Sequence, residues 1–233
     1  MRAQGCPWEG EPGQAHQLGD TISNLAAKFG HLAVLKWARD QGCEVGVFTC
    51  HAAALGGQRE VLQWLADEKY RVNRYTMAGA AGGGHLELLQ WLRARGCGWH
   101  QTSCSFAAKG GHLKVLQWLR QNGCPWDEQT CAHAAEGGHL DILRWARENG
   151  CPWRESTCYH AAYGGHLEIL QWAHRNGCPW EQTTCLAAAQ FGHLEILQWA
   201  RQNGCPWDQA DCVAVADENG HRAVVAWATG TTG

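Results

Sequence analysis

The 233-residue sequence predicts an all-α fold, an α-solenoid of about eight helix-turn-helix repeats, and three observations predict it. A tryptophan recurs at a fixed step, an apolar helical stripe surrounds each one, and a glycine closes each stripe. Trp37, Trp64, Trp91, Trp118, Trp145, Trp172 and Trp199 are 27 residues apart without a slip, and Trp227 follows after 28. Self-similarity at such a period marks stacked supersecondary units. Composition agrees, since 14 Trp beside four Tyr and four Phe is an imbalance that one repeated motif produces.

The copy TCAHAAEGGHLDILRWARENGCPWRES, which starts at Thr130, shows how each element arises. Between His139 and Asn149, Leu140, Ile142, Leu143, Trp145 and Ala146 fall on one broad arc. Asp141, Arg144 and Glu148 fall on a solvent stripe, so the segment reads as a helix packed on two sides. Gly150 supplies the left-handed residue that ends it, and Pro152 prevents its resumption. Upstream, Asp127 caps a shorter helix through Cys131, Ala134 and Ala135, whose small side chains allow close approach of a neighbour. Gly137-Gly138 stops it.

Neither helix can bury its apolar face alone, so copies must stack, and stability becomes a sum of repeat and nearest-neighbour terms. The Trp ladder is expected to dominate that sum. A buried Trp removes about 150–250 Å² from water, roughly 4–6 kcal/mol as an upper bound. On that reading Trp145→Ala costs on the order of 3–5 kcal/mol.

Other residues keep the same step. His31, His85, His112, His139, His166 and His193 form one ladder, with Gln58 in the missing place. Cys97, Cys124, Cys151, Cys178 and Cys205 form a second, and Cys104, Cys131, Cys158, Cys185 and Cys212 a third. Zinc needs four converging ligands, for which paired CxxC motifs are the strong sequence signal, whereas the spacing here is Cys-x6-Cys. The ladder cysteines are therefore expected to be small buried hydrophobes, and the ladder histidines to hydrogen-bond backbone groups of an adjacent loop. His133 recurs only at His160. A catalytic residue would stand once beside unique partners, and the Gly-Gly pairs lack the strand and Lys-Ser/Thr of a phosphate loop. No catalytic, cofactor or metal residue is assigned. The alternative reading is a metal-binding or redox-active thiol protein using the Cys/His ladders.

The segment AAEGGHLDILRWARENG resembles the ankyrin signature AAxxGHxEIVKLLLxxGA, and the same match runs in copies from about Thr21 to the C-terminus. The resemblance implies ankyrin-like repeats with shortened or absent β-hairpin fingers, because Pro152 to Ser156 alone separate Cys151 from Thr157. It implies a non-catalytic scaffold for protein–protein interaction, with the first helices lining a concave face. Cys131 takes the place of the family's inward Leu and Ala132 the place of its His.

Positions that recur between copies are committed to stacking, so those that vary are free to specify a partner. In the first helices these are Ser105, Phe106 and Lys109; Ala132, His133 and Glu136; Tyr159, His160 and Tyr163; and Leu186, Ala187 and Gln190. The partner-binding set is Phe106, Lys109, His133, Glu136, Tyr159, His160, Tyr163 and Gln190, with Tyr159 and Tyr163 as anchors flanked by Phe106, His133 and Phe191.

Two regions are expected. Residues 1–21 hold a partial repeat loop, Gly5 to Trp8, and a flexible insertion; residues 22–233 hold the array. Weak polar caps at both ends predict a piece of a longer array or weak self-association through them. The net charge of −3 and the lack of a polybasic run disfavour nucleic acid and anionic membrane. No apolar run of roughly 18 residues predicts a membrane span, and Met1 to Gly13 does not resemble a signal peptide. The thirteen cysteines are expected as reduced thiols in a cytoplasmic or nuclear protein.

Overall fold

The computed structural model describes residues 21–231. The partial repeat loop and insertion expected over residues 1–21 lie outside the described residues, except for Thr21, which caps the first helix by accepting from the Asn24 N–H at 3.2 Å. Sixteen helices and no strand occur among the described residues, so the fingers are absent there. The helices form eight pairs in two compact units of four.

The unit Met1–Pro125 contains α1 (Ile22–Lys28), α2 (Leu32–Asp40), α3 (Val47–Leu55), α4 (Arg59–Asp67), α5 (Arg74–Gly82), α6 (Leu86–Ala94), α7 (Gln101–Lys109) and α8 (Leu113–Gln121). The unit Trp126–Gly233 contains α9 (Glu128–Glu136), α10 (Leu140–Glu148), α11 (Glu155–Tyr163), α12 (Leu167–Arg175), α13 (Gln182–Gln190), α14 (Leu194–Gln202), α15 (Gln209–Glu218) and α16 (Arg222–Thr229). Within each unit, neighbouring odd-numbered helices approach far more closely than neighbouring even-numbered ones. Ala, Gly and Cys in the odd helices permit this: Ala53, Ala54, Ala80, Ala81, Ala161 and Ala162 are fully buried. No described helix is long and apolar enough to cross a membrane.

Local signals act as the sequence implies. Asp127 accepts from the Gln129 N–H at 3.2 Å and opens α9; Gly137 caps its C-terminus. Gly150 has φ +82° after α10. The second helices bury Leu35, Leu62, Leu89, Leu116, Leu143, Leu170 and Leu197 completely, with Val224 at the same register. In α10 the buried set is Ile142, Leu143 and Ala146.

The tryptophans depart from expectation. No described Trp is buried; all are half-buried except Trp37, which is 47 % exposed. At about 100° per residue, Trp145 sits roughly 100° from the centre of the arc defined by Ile142, Leu143 and Ala146, at its margin. Leucine fills the interior and indole the rim. Four loop Trp pack edge-on against the Trp of the next second helix, Trp99 with Trp118 at 5.9 Å, Trp126 with Trp145, Trp153 with Trp172 at 5.8 Å, and Trp180 with Trp199 at 5.7 Å, and a fifth, Trp207, meets Trp227 tilted at 5.7 Å. Cations cover the loop rings from the preceding helix, with Arg93 over Trp99 at 4.0 Å and Arg147 over Trp153 at 4.2 Å. His174 stacks on Trp180 at 3.8 Å. These contacts accompany the half-burial of the indoles they cover.

Candidate functional site

The histidine ladder positions the ends of the first helices. The last carbonyls of a helix have no partner within it, and an imidazole from the next repeat supplies one. His166 Nε2 donates to the Glu136 carbonyl at 3.0 Å, His193 to Tyr163 at 3.2 Å and His221 to Gln190 at 2.9 Å. In the first unit His85 reaches Leu55 and His112 reaches Gly82, both at 3.0 Å. Gln58, the one replacement, donates its amide to the Lys28 carbonyl at 3.3 Å. The reading of these histidines as backbone partners stands, with the end of a helix as the acceptor rather than a loop.

The consequence is a fixed backbone beneath variable side chains. Glu136, Tyr163 and Gln190 occupy one register on α9, α11 and α13, each held by its carbonyl while its side chain differs from copy to copy. Tyr163 is 37 % exposed, as is Phe191, and their rings meet edge-on at 4.4 Å. Tyr159 lies 6.3 Å from Tyr163 and 5.1 Å from His160, and His160 lies 6.0 Å from His133. The structure thus gathers His133, Glu136, Tyr159, His160 and Tyr163 into one patch of the second unit, with Gln190 exposed on α13. Phe191, expected beside the two tyrosines, is in contact with Tyr163. In the first unit, Lys109 is exposed at the end of α7. Phe106 is half-buried, edge-on to His51 at 6.0 Å, with its ring over Gly82, so it packs between repeats.

Variation does not always mean exposure. Ser105, Ala132 and Ala187 vary between copies but are buried. At the same registers other copies carry Tyr159 and Leu186, or Phe106, His133 and His160, so it is the size of the residue that decides how much of it reaches the surface.

The cysteines behave as interior groups. Cys124, Cys151, Cys178 and Cys205 point Sγ at the backbone carbonyls of His100, Asp127, Arg154 and Glu181, at 3.3–3.5 Å. Their own carbonyls accept from Arg120, Arg147 and, for Cys205, Arg201. Among the described residues eleven cysteines are free thiols, all buried except the half-buried Cys97, and Cys43 is disulfide-bonded, which corrects the expectation that every cysteine is reduced. A hydrogen bond with Cys151, then burial, pushes the Cys131 thiol far up; Cys178 acts likewise on Cys158, and Cys205 on Cys185. Burial raises Cys50 to about 11, and Cys212 to about 11 with help from Asp208 and Asp211.

Two results follow. Alkylating reagents at pH 7 should leave the ten buried thiols unmodified in the native chain and modify them once guanidinium unfolds it; rapid native labelling beyond Cys97 would contradict the burial. An unfolded thiol ionises near pH 8.5–9, whereas folded Cys50 and Cys212 hold their protons to about 11. Their stabilisation is therefore complete below the unfolded value and is lost as pH rises through 11. The melting temperature should fall between pH 8 and pH 10.5, and an unchanged value would exclude this contribution.

Residues 104–146 and 131–174 match the family model for ankyrin repeats, which are generally protein–protein interaction modules and typically non-enzymatic. No curated protein matches the chain. The matched residues carry the patch, and the neighbouring helix pairs α5–α6 and α13–α14 repeat the same 27-residue step, the same histidine-to-carbonyl bond and the same buried Leu. Over residues 104–174 the chain is similar to ankyrin repeats.

Proposed function

We propose that the chain is a non-catalytic scaffold that holds a protein partner on the row of first helices, with Tyr159 and Tyr163 as anchors. The observation that carries the reading is the histidine-to-carbonyl bond beneath Glu136, Tyr163 and Gln190. The array keeps the backbone at these sites constant and spends its sequence variation on the side chains above. Aromatic rings at such a position supply large rigid contact area with little rotamer entropy to lose. The close approach of first helices within each unit supports an inner, concave placement for this row. The eleven free thiols favour a reducing compartment, the cytoplasm or nucleus, and the bonded Cys43 is the one cysteine of the described residues that departs from it.

Affinity capture on the immobilised chain, read by quantitative mass spectrometry, tests the reading when the Tyr159→Ala/Tyr163→Ala variant runs beside the wild type. Each truncated hot-spot aromatic costs about 2 kcal/mol or more of binding, so the double variant should lose its partner at least ~100-fold. Undiminished recovery would place recognition elsewhere.

A further inference from the structure

We propose that His133, Glu136 and His160 form a binding site for a single divalent late transition-metal ion, with zinc as the reference occupant. One ligand atom from each residue lies within 4.8 Å of the other two, and all three residues are half-buried. His133 and Glu136 are three apart on α9 and share a face; His160 comes from α11, which packs against it. Atoms 4.8 Å apart can be equidistant from a point about 2.8 Å away, so each must move by roughly 0.7 Å to reach the 2.0–2.2 Å of zinc bonds. Side-chain torsions supply that.

Two features preorganise the site. His160 Nδ1 lies 2.7 Å from the Ser156 carbonyl, which can only accept, so Nδ1 carries the proton and Nε2 keeps the lone pair. A ligating imidazole is held this way, with its other nitrogen donating to a backbone carbonyl. The Glu136 backbone is fixed by His166, and Gly164 leaves no room for a side chain there, since a Cβ would stand 2.6 Å from the Glu136 oxygen.

The donor set separates this site from the ladders. The ladder histidines direct Nε2 at helix carbonyls, and the ladder thiols are hydrogen-bonded in the interior. The triad uses variable positions instead, and the same register holds Phe106 and Lys109 on α7 and Ala187 and Gln190 on α13. Two neutral imidazoles and one carboxylate suit zinc and its late first-row neighbours, and three protein ligands leave a fourth position for water.

Titration of the tag-free, metal-stripped full chain with Zn(II) by calorimetry, and with Co(II) by absorption, tests the site. One equivalent should bind with micromolar or tighter affinity, and Co(II) should show tetrahedral d–d bands without thiolate charge transfer. His160→Ala and the shape-preserving Glu136→Gln should each weaken the first equivalent at least about tenfold while circular dichroism stays native. His133→Asn serves as the further variant if His160→Ala does not fold. An unchanged first equivalent in natively folded variants overturns the proposal, as does a thiolate band, which would put the metal on the cysteines.

Discussion

Replacing Leu143 with Ala should destabilise the chain by about 3–5 kcal/mol, more than Trp145→Ala in the same helix, which should cost about 2 kcal/mol. Leu143 is the fully buried leucine of the α10 arc, and α10 packs against α9. Its truncation removes burial and leaves a cavity that helices packed to interior density cannot close. Trp145 has only part of its larger surface out of water, and its loss opens the rim to solvent instead of creating a void. What it forfeits is partial burial and an edge-on contact with Trp126. Urea denaturation of both variants decides the ranking. A larger loss for Trp145→Ala would restore the tryptophans as the principal core and contradict the leucine ladder.

Gly165→Ala should cost about 3 kcal/mol, whereas Gly177→Ala, at nearly the same backbone angle, should cost about 1 kcal/mol. Gly165 has φ +79° and Gly177 has φ +82°, so both variants carry the strain of a left-handed alanine. They differ in what surrounds the new methyl. At Gly165 it would stand 2.8 Å from Cε1 of His193, while at Gly177 nothing lies within 4 Å. Relieving the clash displaces His193 and strips the Tyr163 carbonyl of its donor. The difference between the two losses isolates the interlock between repeats. Equal losses would show that the glycine pair serves the turn alone.

The elements of each repeat were legible because their signals are local. Asp127, Gly137, Gly150 and the apolar arc of α10 each act within a few residues, and each does in the fold what its chemistry implies. The helices of the other copies follow by the same step. What could not be read depends on distance across repeats. Periodicity locates an apolar arc but not its centre, so Trp145 and Leu143 looked equally interior. The ladder histidines announced a backbone partner, yet their acceptor lies about 30 residues away.

The recognition patch was legible only in part. Tyr159, Tyr163, His133, Glu136 and His160 converge because α9 and α11 are neighbours, and their spacing by one repeat hinted at it. Internal variation marked Ser105, Ala132 and Ala187 equally, and nothing in one copy tells a small buried residue from an exposed one. Phe106 varied too, yet it packs over Gly82. The triad was missed because its three donors read as ordinary variable residues until two helices bring them within 4.8 Å.

Recognition by the first-helix row is tested most directly by a hydrogen–deuterium exchange footprint of the full chain with its captured partner. Protection on binding should concentrate in the peptides that carry the C-terminal halves of α9, α11 and α13, around Glu136, Tyr163 and Gln190, with the Cys-Pro-Trp loops unchanged. Protection confined to those loops and to α10, α12 and α14 would contradict it.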